Sequence, residues 1–308
     1  MDLKHLKYIV TIAEEKSLTK AAQKLYVSQS TLSLYLGKLE KELNMPLFRR
    51  IKNGLVPTPA GELYISTCRK ILALQDELYQ NLQLVGPSPT KSTFRLGISS
   101  QLGLSIFGKA FSIFKPEHPN INVTVTEGRA RTLLSKLEKR ELNCIIIGHD
   151  SIIENPSYHV DIIKKEAVSL VLAPTHPLAY LASCNYNDPP VADMHLFQNS
   201  NIVLSPRDTS DYRIALRVIK DYQMNANVAC ELNDTEALCR MVLQSSYISI
   251  IPGFCVPRNM GLLVCQPDKP YYRYLLLLYH QDSPPSQDTE LLLKLIRNYY
   301  ENWYEKTM

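Results

Sequence analysis

The sequence predicts an α/β protein in three parts: a small helical unit finished by a β hairpin, a long single helix, and a two-lobed α/β domain. Three observations predict it. Residues 17–43 contain two helix starts, Ser17 and Ser28, each a short hydroxyl residue placed before an apolar helical pattern. Residues 64–85 carry apolar side chains in alternating steps of four and three. From residue 91 onward, short apolar strands alternate with helical segments.

In the first part, Ser17 caps a helix whose apolar residues Leu18, Ala21, Ala22 and Leu25 share one face. Tyr26-Val27 break that pattern. Ser28 then starts a longer helix through about Leu43, with Leu32, Leu36, Leu39 and Leu43 expected on its buried stripe. Two caps this close force a tight turn, so the pair reads as a helix-turn-helix. Its second helix opens on Gln29, Ser30, Thr31 and Ser33, short hydrogen-bonding side chains that suit base edges in a major groove, with Lys38 further along. Ser17, Thr19 and Ser28 stand at the helix starts, where a duplex backbone would pass, and join the candidate DNA contacts.

Pro46-Leu47-Phe48-Arg49-Arg50 supplies two apolar anchors followed by two fixed cations, and Lys52-Asn53-Gly54 supplies turn chemistry before Leu55-Val56. The expected product is a short wing, with Arg49, Arg50 and Lys52 against phosphates or the minor groove. Residues 1–58 hold ten Lys and Arg against five acids, an excess larger than the net +4 of the whole chain. The positive charge is therefore local to this unit.

Residues 3–61 resemble the winged helix-turn-helix of the LysR-type transcriptional regulators. The matching words are Ser17, Ala21-Ala22 and Leu25; Ser28-Gln29 and Ser33; Leu39-Glu40 and Leu43; Leu47-Phe48-Arg49-Arg50; and Thr58, Ala60 and Gly61. Asn44 departs from the usual Gly, although Asn also accepts the left-handed conformation that ends a helix. The resemblance implies a regulator that binds promoter DNA and answers a small-molecule effector through a periplasmic-binding-protein-like C-terminal domain. It also implies dimerisation by the helix that follows the wing.

That helix opens on Thr58-Pro59, and its seam runs through Tyr64, Cys68, Ile71, Gln75, Leu78, Leu82 and Val85. One winged helix makes few base contacts, so pairing two raises affinity through effective concentration. Packing on the helix's own unit is the alternative. Gly86-Pro87-Ser88-Pro89-Thr90 ends the helix as a linker. The expected domains are 1–58, 59–90 and 91–308, the last divided into subdomain I (91–163 and 269–308) and subdomain II (164–268).

Strand-helix-strand order after residue 91 predicts a mainly parallel sheet in two units, with crossings near 163–166 and 264–269. In such sheets ligands lie beyond the carboxyl ends of the strands, beside helix starts. With the resemblance, this nominates Ser99, Ser100, Gln101, His149, Ser205 and Thr235 as effector contacts, with Thr209 nearby. Arg129, Arg131 and Arg207 would favour an anionic effector. The resemblance is weaker here: Asn143 replaces the usual Asp, and Ser245 and Tyr247 replace two glycines before Ile250-Ile251-Pro252.

No Gly-x-Ser-x-Gly, Gly-x-x-x-x-Gly-Lys, His-Glu-x-x-His or paired-cysteine pattern occurs, so no catalytic residue, metal ligand or cofactor is assigned. His159 and Asp161 read as surface alternation along a strand. Seven scattered cysteines fit reduced thiols, and Cys230 and Cys239 read as structural residues rather than as a peroxide sensor. No segment approaches the roughly 20 apolar residues of a membrane span. The expectation is a cytoplasmic homo-oligomer, a dimer of dimers, whose partners are double-stranded DNA, a small-molecule effector and RNA polymerase. An enzyme with an accessory DNA-binding unit, and a constitutive DNA-bending protein, are the other classes left open.

Overall fold

The computed structural model describes residues 3–51, 54–85 and 92–303; Lys52, the expected linker 86–90 and the end of the last expected helix lie outside them. There are two compact units, residues 1–92 and, apart from the stretch 138–140, residues 93–308.

The first unit comprises α1 (Leu3–Glu15), α2 (Leu18–Lys24), α3 (Gln29–Glu42), the hairpin β1 (Phe48–Ile51) and β2 (Gly54–Pro57), and α4 (Pro59–Val85). The sequence places the caps: Ser17 Oγ accepts from Lys20 N–H, and Ser28 Oγ from Thr31 N–H. Ile9, Ile12, Ala21, Ala22, Leu32, Leu36, Leu39, Leu47 and Ile65 close one core. A fully buried Leu or Ile there contributes about 2 kcal/mol. Leu43, expected on the buried stripe, is 39% exposed. It ends α3 because Asn44 takes φ +53° and turns the chain away. Glu40 organises that turn, its Oε1 accepting from Leu47 N–H at 2.7 Å and Phe48 N–H at 3.0 Å. Gly61 is required where α4 meets the turn, since a Cβ there would collide with the Leu47 carbonyl oxygen.

The expected seam of α4 divides in two. Cys68 is buried within this unit, as is Ile65 from beside the seam, whereas Leu78 is exposed, as are Leu74 and Tyr79 beside the seam. The side chains of Leu82 and Val85 lie outside the description.

The second unit is a two-lobed α/β domain. In chain order it contains β3 (Ser92–Ile98), α5 (Gln101–Glu117), β4 (Ile121–Glu127), α6 (Ala130–Glu138), β5 (Cys144–His149) and β6 (Tyr158–Leu172). There follow β7 (Asn201–Leu204), α7 (Ser210–Asp221), β8 (Asn227–Glu231), α8 (Thr235–Leu243), β9 (Ile248–Pro252), β10 (Leu263–Cys265), β11 (Tyr272–His280) and α9 (Gln287–Glu301). Strand order is β4-β3-β5-β11-β6-β9-β7-β8, with β10 also on β6.

The sheet is mixed, which corrects the expectation of a mainly parallel one. Pairs β3/β5, β7/β8 and β7/β9 are parallel, but β11 is antiparallel to β5 and β6, and β6 to β9 and β10. The cause is the double crossing. β6 leaves lobe I and β11 returns to it, so the two run in opposite directions. The first half of β6 pairs with β11 and the second half, from Val168, with β9 and β10. The strand expected at 168–173 is thus the end of a 15-residue strand.

Lobe I buries both faces of its sheet. Leu96, Ile98, Leu275, Leu277 and Ile296 lie in one core, and Leu133, Ile145, Ile147, Leu276 and Leu278 in the other. This explains the run Leu275–Leu278, whose alternate residues serve opposite faces. Lobe II repeats the scheme with Leu170, Ile202, Ile214, Ile248 and Ile250 on one side and Val171, Val203, Leu238, Val242 and Ile251 on the other. Among the described residues no helix is long and apolar enough to cross a membrane.

Candidate DNA-reading surface and ligand cleft

On the first unit, Ser28, Ser30 and Thr31 gather at the start of α3, with Ser28 Oγ 2.8 Å from Ser30 Oγ and 2.7 Å from Thr31 Oγ1. Gln29 is exposed beside them, Thr19 is exposed on α2, and Ser17 is half-buried at its cap. Ser33 is half-buried and Leu34, one residue on, takes the open position. A helix turns about 100° per residue, so a shift of one residue decides which side chain faces outward. Lys38 is exposed, with Glu42 Oε1 only 4.0 Å from its Nζ. Arg49 and Arg50 are exposed on β1 with no ion-pair partner among the described residues. As consecutive strand residues they leave opposite faces of the hairpin. Tyr26, almost fully exposed at φ +55°, occupies the turn between the helices.

On the second unit, a cavity of about 1480 Å³ opens between the lobes, and its wall contains Ser99, Ser100, Gln101, His149, Ser205 and Thr235 together with Thr209, Arg129 and Arg131. Helix starts explain the convergence: α5, α6, α7 and α8 all begin at this wall. Ser100 caps α5 by accepting from Gly103 N–H at 3.0 Å, and Ser99 Oγ accepts from Gly148 N–H at 3.1 Å, tying the ends of β3 and β5. The Ser99 hydroxyl hydrogen is left able to donate, whereas Ser100 lies beside the buried Tyr300 hydroxyl. Gln101 Nε2 donates to Glu127 Oε1 at 2.7 Å, and His149 Nδ1 lies against the Ser151 backbone. Thr209 caps α7 and Asp234 caps α8, so Thr235 is the first residue of α8. Ser205 makes no hydrogen bond to the described residues, leaving its hydroxyl available.

Charge in the cleft differs from the expectation. Arg207 is not in the wall; it is 79% exposed and bound to Glu231 Oε1 at 2.9 Å. The wall holds five arginines and six carboxylates. Arg129 is paired with Asp208 across the lobes. Arg213 of α7 grips Asp150 at 2.7 and 3.1 Å, and Arg217 reaches the same carboxylate. Burial opposes ionisation of Asp150, but Arg213 outweighs it and holds the carboxyl below the usual range. Arg131 has no acidic partner among the described residues.

The floor carries a group that sequence reasoning missed. Arg273 faces Glu166 directly across the β11/β6 ladder, with Nε 2.6 Å from Glu166 Oε2. Its Nη1 meets both oxygens of Asp211 at 3.0 Å, and Nη2 donates to Cys255 Sγ at 2.9 Å. Glu166 and Arg273 are both buried, and Glu166 Oε1 has no hydrogen-bond partner among the described residues. Burial pushes the Cys255 thiol up to about 12. The available signal was a lone arginine, followed by tyrosine and four leucines, at the head of a buried strand.

His159 Nε2 and Asp161 Oδ1 lie 2.8 Å apart, because residues two apart on a strand share a face, and Arg297 holds Asp161 from α9. Neither residue is in the cleft wall. Cys239 is buried, which pushes its thiol up to about 12. Among the described residues no group of three or more His, Cys, Asp or Glu could hold a metal ion.

A family model described as "Bacterial regulatory helix-turn-helix protein, lysR family" matches residues 3–62, and one described as "LysR substrate binding domain" matches residues 88–301. The chain belongs to the LysR family of transcriptional regulators. Its relatives include the HTH-type transcriptional regulator BenM of Acinetobacter baylyi, 22% identical over 82% of this chain and 81% of that protein. A probable RuBisCO transcriptional regulator of Thalassiosira pseudonana is 27% identical over 84% of each chain. Among solved structures, a full-length OxyR variant from Pseudomonas aeruginosa has a TM-score of 0.67 at 22% identity, covering 96% of this chain and 95% of that one. It shares the fold of the whole LysR-type chain. The protein is thus a DNA-binding transcriptional regulator with a helix-turn-helix unit and a substrate-binding domain.

Proposed function

We propose that this LysR-type regulator reads promoter DNA with α3, holds the duplex backbone with its wing, and responds to a small polar effector seated between its two lobes. Gln29, Ser30, Thr31 and Ser33 are assigned to base edges, and Ser17, Thr19, Ser28, Lys38, Arg49, Arg50 and Lys52 to phosphates. Ser99, Ser100, Gln101, His149, Ser205 and Thr235 are assigned to the effector. The observation that carries this reading is one cavity walled by four helix starts and by hydroxyls that can still donate. Because carboxylates match the arginines in that wall, the effector need not be an anion, and Arg131 is the residue through which an acidic group would bind.

The remaining assignments follow from the sequence. Domains are placed at 1–58, 59–90 and 91–308, with lobes at 91–163 plus 269–308 and at 164–268. The exposed Leu74, Leu78 and Tyr79 of α4 favour pairing with a second copy, and two such pairs would make a dimer of dimers. Such an assembly, cytoplasmic and without enzymatic activity, would meet RNA polymerase at the promoter. Effector binding would shift the lobes and alter the bend imposed on DNA.

The test is footprinting of the protein's own upstream region with and without a panel of cell metabolites. A metabolite that alters the footprint of the wild type should leave that of Gln101→Trp unchanged while DNA affinity stays the same. An undiminished response in Gln101→Trp would move the effector site out of the cleft.

A further inference from the structure

Leu34 stands in the middle of the outward face of α3. It is 75% exposed, whereas Leu32 and Leu36, two residues to either side, are 0% and 7% exposed. The exposed stripe runs Ser30, Leu34, Gly37, Lys38 and Lys41, at helical spacing of four, three, one and three, directly opposite the buried stripe of Leu32, Leu36 and Leu39. Gly37 leaves the surface beside Leu34 open, since a Cβ there would meet nothing within 4 Å. A leucine so placed contributes little burial to its own fold.

What covers it follows from its neighbours. Lys38 and Lys41 continue the stripe, and Arg49 and Arg50 stand exposed on the wing of the same unit without acidic partners among the described residues. This surface suits a polyanion. Of the groups that double-stranded DNA presents in its major groove, the C5-methyl of thymine is the apolar one; the others are hydrogen-bond donors and acceptors. We propose that Leu34 is a specificity residue, selecting thymine by packing on that methyl, with Gly37 allowing the helix to approach the groove closely. The proposal rests on α3 being the reading helix. It adds an apolar contact to the polar contacts assigned to Gln29 and Ser30.

The test removes one methyl at a time. In duplexes carrying a footprinted site, each thymine is replaced singly by deoxyuridine, which keeps the Watson–Crick and hydrogen-bonding edges and deletes only the methyl. At one position per half-site the wild-type full chain should lose roughly fourfold in affinity, the loss expected from exposing a single methyl. Leu34→Ala should be indifferent to deoxyuridine at that position, should keep its response at any other, and should have an unchanged salt slope. Because Leu34 is exposed, its melting temperature should match the wild type, which separates a reading defect from misfolding.

If Leu34→Ala retains the wild-type response at every thymine, the proposal fails. It fails equally if Leu34→Ala changes the oligomeric state by light scattering while the deoxyuridine pattern stays as in the wild type, because a second copy would then be what covers the residue. Gln29→Ala, measured in parallel, separates the two levels of the argument. If it changes base preference and Leu34→Ala does not, α3 reads DNA without Leu34; if neither changes it, α3 is not the reading helix.

Discussion

The hairpin arginines and three of the cleft arginines are handled in opposite ways. On the hairpin, Arg49 and Arg50 stand exposed with no acid beside them among the described residues, so their charge is available to a phosphate backbone. In the cleft, Arg129, Arg213 and Arg273 are each bound to carboxylates from another strand or lobe. Unpaired cations at a surface serve a partner that brings its own negative charge. Paired ones serve geometry. Each ion pair across the cleft fixes one lobe against the other, and a ligand carrying charge can exchange with it. The same residue type is therefore left open to a partner on the hairpin and held in ion pairs at these three cleft positions.

The sharpest break of this comparison is at Arg273. Replacing it with Ala would strand Glu166 and Asp211 as unpaired carboxylates, one fully buried, at a cost of about 3 to 5 kcal/mol. For a domain of this size the melting temperature should fall by roughly 6 to 20 °C. The double variant Arg273→Met with Glu166→Gln should recover a large part of the loss, because it removes the stranded charge along with its partner. A loss below about 1 kcal/mol for Arg273→Ala would mean that the cluster does not hold the crossing strands to α7. DNA affinity of the first unit is the control.

On the other unit, Gln29→Ala should cost about 1 to 3 kcal/mol of discrimination at one base pair while leaving affinity for random duplexes nearly unchanged. Arg49→Ala should weaken binding to all duplexes alike and reduce the slope of log K against log salt by about 0.9. Affinities over a salt series on matched and mismatched sites separate the two. An Arg49→Ala protein with altered base preference and an unchanged salt slope would show that the wing reads bases.

Much of the fold was legible because its signals are local. Ser17, Ser28, Ser100, Thr209 and Asp234 each start a helix in the structure and are short polar residues set before an apolar helical pattern. The start of β6 is legible as a strand in the alternation at His159 and Asp161, but its continuation was read as a crossing because Lys164, Lys165 and Glu166 are charged, a composition that reads as a connection. Strand direction was misread because it depends on the order in which lobes are visited, and no window of sequence records that. The cleft wall was found in outline from strand ends, but its charge balance was not. Arg273 and Glu166 lie 107 residues apart and Arg213 and Asp150 lie 63 apart, so each arginine looked unpaired in the sequence. Leu34 was passed over because Ser33 fitted a familiar spacing, although Ser33 is half-buried.

The half-exposed pair Arg213–Asp150 gives the finest test, and its sign can be worked out. Arg213 lowers the Asp150 pKa in the folded protein relative to its ordinary value of 3.8. A lowered carboxyl contributes stability above its unfolded pKa and loses it as pH falls through the folded one. Asp150→Asn should therefore melt below the wild type near neutral pH, and the two curves should converge as pH falls below about 4. The gap must be small. The Arg213 side chain is 43% exposed, so solvent screening limits the pair to no more than about 1 kcal/mol, which added salt should reduce further. If the cleft pairs act as exchangeable latches, Asp150→Asn should also loosen the lobes without the large destabilisation expected at Arg273, and small-angle scattering of the two variants would register that difference. A gap that persisted unchanged at acid pH would assign the effect of Asp150 to packing rather than to its ion pair with Arg213.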